Sequence, residues 1–151
     1  MYFKGIKDFS FCSKSSVVVE TVSYVYNFIS KNWNVTLNYF INENDLVFNK
    51  VKEKIAAIIM ENNDTISEET VVYLSETFLD KPEIVPIGQK TISFISTESI
   101  FNFENTLSIK EYINTYLLEN SYMLDIESFT PYEAIIENKI DTILKTINDR
   151  L

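Results

Sequence analysis

The chain has 151 residues, and its 13 Lys and Arg against 22 Asp and Glu leave a net charge of −9. With no histidine, one cysteine (Cys12) and two glycines, it cannot build a Ser-His-Asp or Cys-His nucleophilic site, a histidine or thiolate zinc site, an internal disulfide or a Gly-rich phosphate loop. Its hydrophobic residues (46%, with 14% aromatic) exclude a disordered tail and fit a single domain over 1–151.

In chain order, Val18, Val22, Val25 and Ile29 recur at helical spacing, and 15–30 is expected to be a helix although β-branched and aromatic residues crowd it. Val35, Leu37, Tyr39 and Ile41 alternate with Asn34, Thr36 and Asn38, predicting a strand on which Phe40 points opposite to the apolar face. Asn42-Glu43-Asn44 reads as a turn into Leu46-Val47-Phe48, which would make a hairpin. Residues 50–61 place Val51, Ile55, Ile58 and Ile59 on one side of a helix. The stretch 67–79 is expected to be a helix capped by Ser67, with a strand at 71–75 as the alternative.

Residues 84–87, broken by Pro86, suggest an edge strand leading to a second hairpin that joins 91–96 to 100–104. Ser108 with Glu111 reads as a capping box, opening a helix whose face is Ile109, Tyr112, Ile113, Tyr116 and Leu117 and whose stop is Asn120. A short strand is expected at 122–126. The last helix is predicted from Thr130 as cap, Pro131 in the first turn and Glu133 at the third position, with Phe129 packing back on it. Its stripe is Ile136, Ile140, Ile143, Ile147 and Leu151, widened by Ile135 and Leu144, and Lys145 and Arg150 suit its dipole. Hairpins interspersed with helices predict an α+β fold, antiparallel hairpins packed against several amphipathic helices.

Twenty Ile, fifteen Asn and a single Arg point to an AT-rich genome, so scarce Gly and Pro say little about loops. The N-terminus carries no signal-peptide core, and no apolar run approaches the ~18 residues of a membrane span. The expected location is the cytoplasm, with leaderless export left open. Asn34-Val35-Thr36 and Asn63-Asp64-Thr65 match the glycosylation sequon, but chance accounts for them in an Asn-rich chain.

What survives is carboxylate chemistry: Glu68 with Glu69, Asp80 with Glu83, and the column Glu133, Glu137 and Asp141. Each has a plainer reading, respectively a helix start, a loop and a solvated helix face. No catalytic, cofactor or metal site is therefore assigned. Cys12, beside Phe11 and near Lys14, reads as a small buried hydrophobe rather than a reactive thiol. Clustered Lys50, Lys52 and Lys54 include Glu53, and an acidic chain disfavours nucleic acid as a partner. Acidic mimicry of nucleic acid is a weaker option.

The remaining feature is aromatic surplus, eleven Phe and nine Tyr with one Trp. Tyr24, Tyr26, Phe28 and Trp33 cluster in one segment with Tyr39 and Phe40 close behind, and Tyr24, Tyr26, Trp33 and Phe40 are the expected partner-binding residues, because a ring with a polar tip suits a half-wet interface. Codon bias alone is the competing explanation. The chain reads as a small acidic non-enzymatic interaction protein, of the accessory-subunit, inhibitor or immunity kind. The alternative is a binder of a lipid or other apolar small molecule between hairpins and helices. A homo-oligomer is left open.

Overall fold

The computed structural model describes residues 1–11 and 13–149. Readings made for Cys12, Arg150 and Leu151 lie outside the described residues. The fold is α+β, as its pattern predicts. The strands are β1 (Tyr2–Phe9), β2 (Ser13–Asn27), β3 (Asn32–Phe40), β4 (Gly88–Ile95) and β5 (Ile126–Pro131). The helices are α1 (Glu43–Glu61), α2 (Glu68–Leu74), α3 (Thr106–Glu119) and α4 (Glu133–Asn148). Among the described residues no helix is long and apolar enough to cross a membrane.

The chain divides into two compact units. The first, Met1–Ile41 with Pro86–Glu133, holds an antiparallel sheet in the order β4-β3-β2-β1-β5. On its inner face Phe3, Val17, Val19, Trp33, Val35, Leu37, Ile92 and Phe94 form a core with Ile113 and Leu117 of α3, Leu124 and Ile126. The strict alternation of β3 makes this possible, since Trp33, Val35, Leu37 and Tyr39 are buried while Asn34, Thr36 and Asn38 are only half-buried. Lys7 and Lys90 donate to the carbonyls of Leu124 (3.1 Å) and Met123 (2.7 Å), tying the sheet to the short 3-10 turn Ser121–Leu124.

Tyr39 belongs to the same face, 4% exposed, and its hydroxyl has no hydrogen-bond partner among the described residues. Burial pushes this phenol from the ordinary 10 up to about 12. A raised pKa means full stability below pH 10 that is lost as pH climbs towards 12. Tyr39→Phe is therefore expected to stabilise the protein by about 1 kcal/mol at pH 7, because a buried unpaired hydroxyl disappears. It should also flatten the loss of stability above pH 10. Urea denaturation at pH 7 and pH 11 checks both.

The second unit, Asn42–Val85 with Ala134–Leu151, is helical. Leu46, Val47, Val51 and Ile55 of α1, Leu74 of α2, and Ile136, Ile140 and Ile147 of α4 are buried. Phe48 stacks on Phe78, at the π-helical turn Ser75–Leu79, with ring centroids 6.2 Å apart. Lys139 and Glu43 pair at 3.1 Å, and Lys54 and Glu137 at 3.9 Å.

Several local expectations are corrected. Residues 15–30 form β2, not a helix. Val17, Val18 and Val19 are all buried, so both faces of the sheet are covered there and no alternation shows. A bulge then inserts Val22 between Thr21↔Leu37 and Ser23↔Thr36, shifting the period so that valines fall at helical spacing by accident. Leu46-Val47-Phe48 lies in α1, because the Asn42 side chain accepts from the Asn44 amide at 3.0 Å and caps a helix there instead of a turn. Ile41, expected on the apolar face, is 41% exposed beyond the strand's end.

Ile84 cannot enter a sheet, since buried Asn49 takes both its backbone groups: Nδ2 donates to its carbonyl (2.7 Å) and Oδ1 accepts from its amide (2.8 Å). The strand expected at 84–87 instead begins at Gly88. Residues 91–95 belong to β4, which ends before Ser96, but its partner is β3, and 100–102 make a 3-10 turn capped by Ser99 rather than a hairpin arm. The α3 cap is Asn105 with Ser108 as its box partner, one turn earlier than Ser108 with Glu111. At 121–124 the chain makes a 3-10 turn, and Asp125 in the left-handed region (φ 56°) turns it into β5. Thr130 and Pro131 pair with Lys4 and Phe3 in the sheet, so the last helix starts at Glu133 and not at a Thr130 cap. Ile135 is 48% exposed and does not widen the buried stripe.

Candidate interaction surface at the β2–β3 hairpin

β2, with 15 residues, is the longest of the five strands, and its far end turns into β3. After the bulge at Val22, Tyr24 and Tyr26 pair with Val35 and Trp33, so both tyrosines face the core side of the sheet. Tyr24 and Tyr26 lie 6.2 and 5.0 Å from the Trp33 ring. Phe28 continues the row, edge-on to Tyr26 at 5.1 Å. On the other side Phe103 meets Trp33 at 6.2 Å and Tyr112 at 5.2 Å, and Phe94 stacks on Tyr116 at 3.6 Å. Rings thus run continuously from the core to the hairpin tip.

The tip is held by hydrogen bonds. Asn27 Oδ1 accepts from the amides of Ile29 (2.9 Å) and Ser30 (3.1 Å), closing a side-chain turn. Lys31 adopts the left-handed conformation (φ 57°), and its carbonyl accepts from the Ser96 amide at 3.0 Å. The loop after β4 is pinned as well, by Thr97, whose amide donates to the Tyr112 hydroxyl at 3.0 Å. Burial alone would raise the Tyr112 phenol, but its bonds with Thr97 hold it below the ordinary value.

What this ordered scaffold displays is apolar. Phe28 is 67% exposed and Ile29 96%, with Val25 (60%) on β2 and Ile95 (70%) paired to Asn32 across the sheet. Single exposed apolar side chains are ordinary, but Phe28 and Ile29 adjoin on a turn that fixes where they point. Ordering them in advance lowers the entropy a partner must overcome.

Of the residues expected to bind a partner, the structure brings Tyr24, Tyr26 and Trp33 together and sets Phe40 apart. Tyr24 and Tyr26 are half-buried, Trp33 is 3% exposed with its Nε1 unpartnered among the described residues, and Phe40 is 3% exposed on the opposite face. Trp33 and Phe40 are therefore part of the packing. Phe28, which belongs to the same aromatic cluster in the sequence, and Ile29 are not among the expected partner-binding residues; their signal is an apolar pair directly before Ser30-Lys31-Asn32, a turn-like trio between two strands.

The acidic candidates are dispersed. Glu68 and Glu69 sit in the first turn of α2, and Asp80 and Glu83 are exposed in the following loop. Glu133 pairs with Lys110 at 2.9 Å and the N-terminal amine at 3.6 Å. Partial burial alone would raise the Glu133 carboxyl, but these cations hold it below its usual range. Among the described residues no group of three or more acidic or cysteine side chains could hold a metal ion.

No protein-family model matches the chain, and neither a curated protein nor a solved structure resembles it at a significant level.

Proposed function

We propose that the protein works by binding another protein, as an accessory or inhibitory subunit, and that the β2–β3 hairpin tip is the contact. The observation that carries this reading is the pair Phe28 and Ile29, exposed side by side on a turn tied down by Asn27 and Lys31. An aromatic anchor at the centre of an ordered patch is the usual composition of a binding hot spot. The net charge of −9 would steer association towards a basic partner and make its rate fall with salt. Ring-to-ring packing of the inner-face aromatics favours this reading over an apolar-ligand cavity, because those rings fill the space between strands and α3 themselves.

The double variant Phe28→Ser with Ile29→Ser tests it. Both side chains are largely solvent-exposed, so the midpoint of thermal unfolding should move by no more than about 2 °C. Capture of a specific protein from the source lysate should drop at least about tenfold, the equivalent of one buried anchor. Equal capture by both forms overturns the assignment of the tip.

A further inference from the structure

The two edges of the sheet are built differently. On β5 the register shifts between Lys4↔Thr130 and Ile6↔Glu127, Ser128 takes the left-handed conformation (φ 55°) within that bulge, and the strand ends at Pro131. Bulges and proline are the usual devices that stop an edge strand from pairing with another chain. Within Gly88–Ile95, β4 has neither a bulge nor a proline, and its one protective feature is the inward-pointing charge of Lys90. It pairs with β3 without interruption from Asn32↔Ile95 to Tyr39↔Gly88 and contains neither proline nor any acidic residue.

Its hydrogen-bonding parity follows from one bond. The Ser96 amide donates to the Lys31 carbonyl at 3.0 Å in the same register, so the even residues 90, 92 and 94 bond to β3, while at the strand's start the Ile87 amide donates to the Tyr39 carbonyl at 2.8 Å. The N–H and C=O groups of Gln89, Thr91, Ser93 and Ile95 point to the open edge, and all four side chains are exposed. Lys90, the one charge, is bonded to the Met123 carbonyl on the inner face.

We infer that β4 pairs with β4 of a second copy, antiparallel about Ile92, joining two five-stranded sheets into one of ten strands. This register sets Thr91 opposite Ser93 and Gln89 opposite Ile95, satisfying every outward N–H and C=O of both strands. Sidedness also matches, since the polar row Gln89, Thr91 and Ser93 continues on one face. Ile92 then meets Ile92, and Lys90 meets Phe94, on the other. No like charges oppose each other along the seam, which a chain of net charge −9 needs if it is to meet itself. A heterologous strand would have to supply this same alternation; the second copy already carries it. This inference is independent of the hairpin tip.

The test is native mass spectrometry with sedimentation equilibrium over a concentration series. A dimer whose population rises with concentration is expected. Ser93→Pro removes an outward backbone donor and the bond from the Ser93 hydroxyl to Asn34 Oδ1, spares the backbone ladder to β3, and should raise the dimer dissociation constant at least about thirtyfold with an unchanged circular-dichroism spectrum. Two double variants read the register even if the proline disturbs folding. Thr91→Lys with Ser93→Lys places like charges opposite across the seam and should weaken the dimer. Thr91→Glu with Ser93→Lys places opposite charges there and should tighten it. A monomer at every concentration, or equal dissociation constants for the two double variants, overturns the inference.

Discussion

Trp33→Ala is expected to cost about 4 kcal/mol of stability, lowering the unfolding midpoint by about 12 °C. Trp33 is 3% exposed at the junction of two strands and a loop, in ring contact with Tyr24, Tyr26 and Phe103. Truncation leaves a cavity those rings cannot close, because Tyr26 is fixed in register by β3 and Phe103 is also packed against Tyr112. Trp33→Phe keeps most of the ring volume and removes the unpartnered Nε1 donor, so it should cost less than half as much. Urea denaturation of the two variants checks the ranking. Equal, small losses would mean that Trp33 is a surface residue. Any failure of Trp33→Ala to bind a partner then reads as lost packing, whereas Phe28 and Ile29 report on the contact itself.

Gly5→Ala should be nearly as damaging, at about 3 kcal/mol. A Cβ on Gly5 would stand 2.2 Å from Ile126 Cγ2 and 2.8 Å from the Glu127 carbonyl oxygen. Neither can yield cheaply. Ile126 is buried in the core cluster, and Glu127 is backbone at the one place where β5 bulges against β1. The requirement is space and not a left-handed backbone, since no glycine here has positive φ. Gly88→Ala supplies the control. Its Cβ would meet only Tyr39 Cδ2, at 3.3 Å, and should cost well under half as much. Thermal unfolding of both variants measures the contrast, and equal midpoints would show that the β1–β5 contact is looser than described.

Sequence pattern revealed the fold class because its strongest signals were local. β3 alternates from Asn32 to Tyr39, α3 and α4 carry apolar stripes at helical spacing, and Ser67 caps α2 by accepting from the Thr70 amide. Expectations failed where a tertiary contact decided the outcome. The valines of β2 lose their alternation where both faces are covered and where the bulge adds Val22. Residue 84 is withheld from the sheet by a side chain 35 positions away, Asn49. The candidate site was half legible. Clustering of Tyr24, Tyr26 and Trp33 could be read from their spacing, but aromatic composition does not separate a packed ring from a displayed one. That separation depends on strand register, which buries Trp33 and leaves Phe28 at the turn.

The central claim is that the hairpin tip meets a protein, and a photo-crosslinking residue at position 28 tests it most directly. A matching probe at exposed Glu53 on α1 serves as the control. Irradiation in the source cell should join position 28, and not position 53, to one discrete protein, with a yield that falls as salt is raised in the lysate. Adducts only to lipid or another small molecule, or the same products from both positions, would contradict the account.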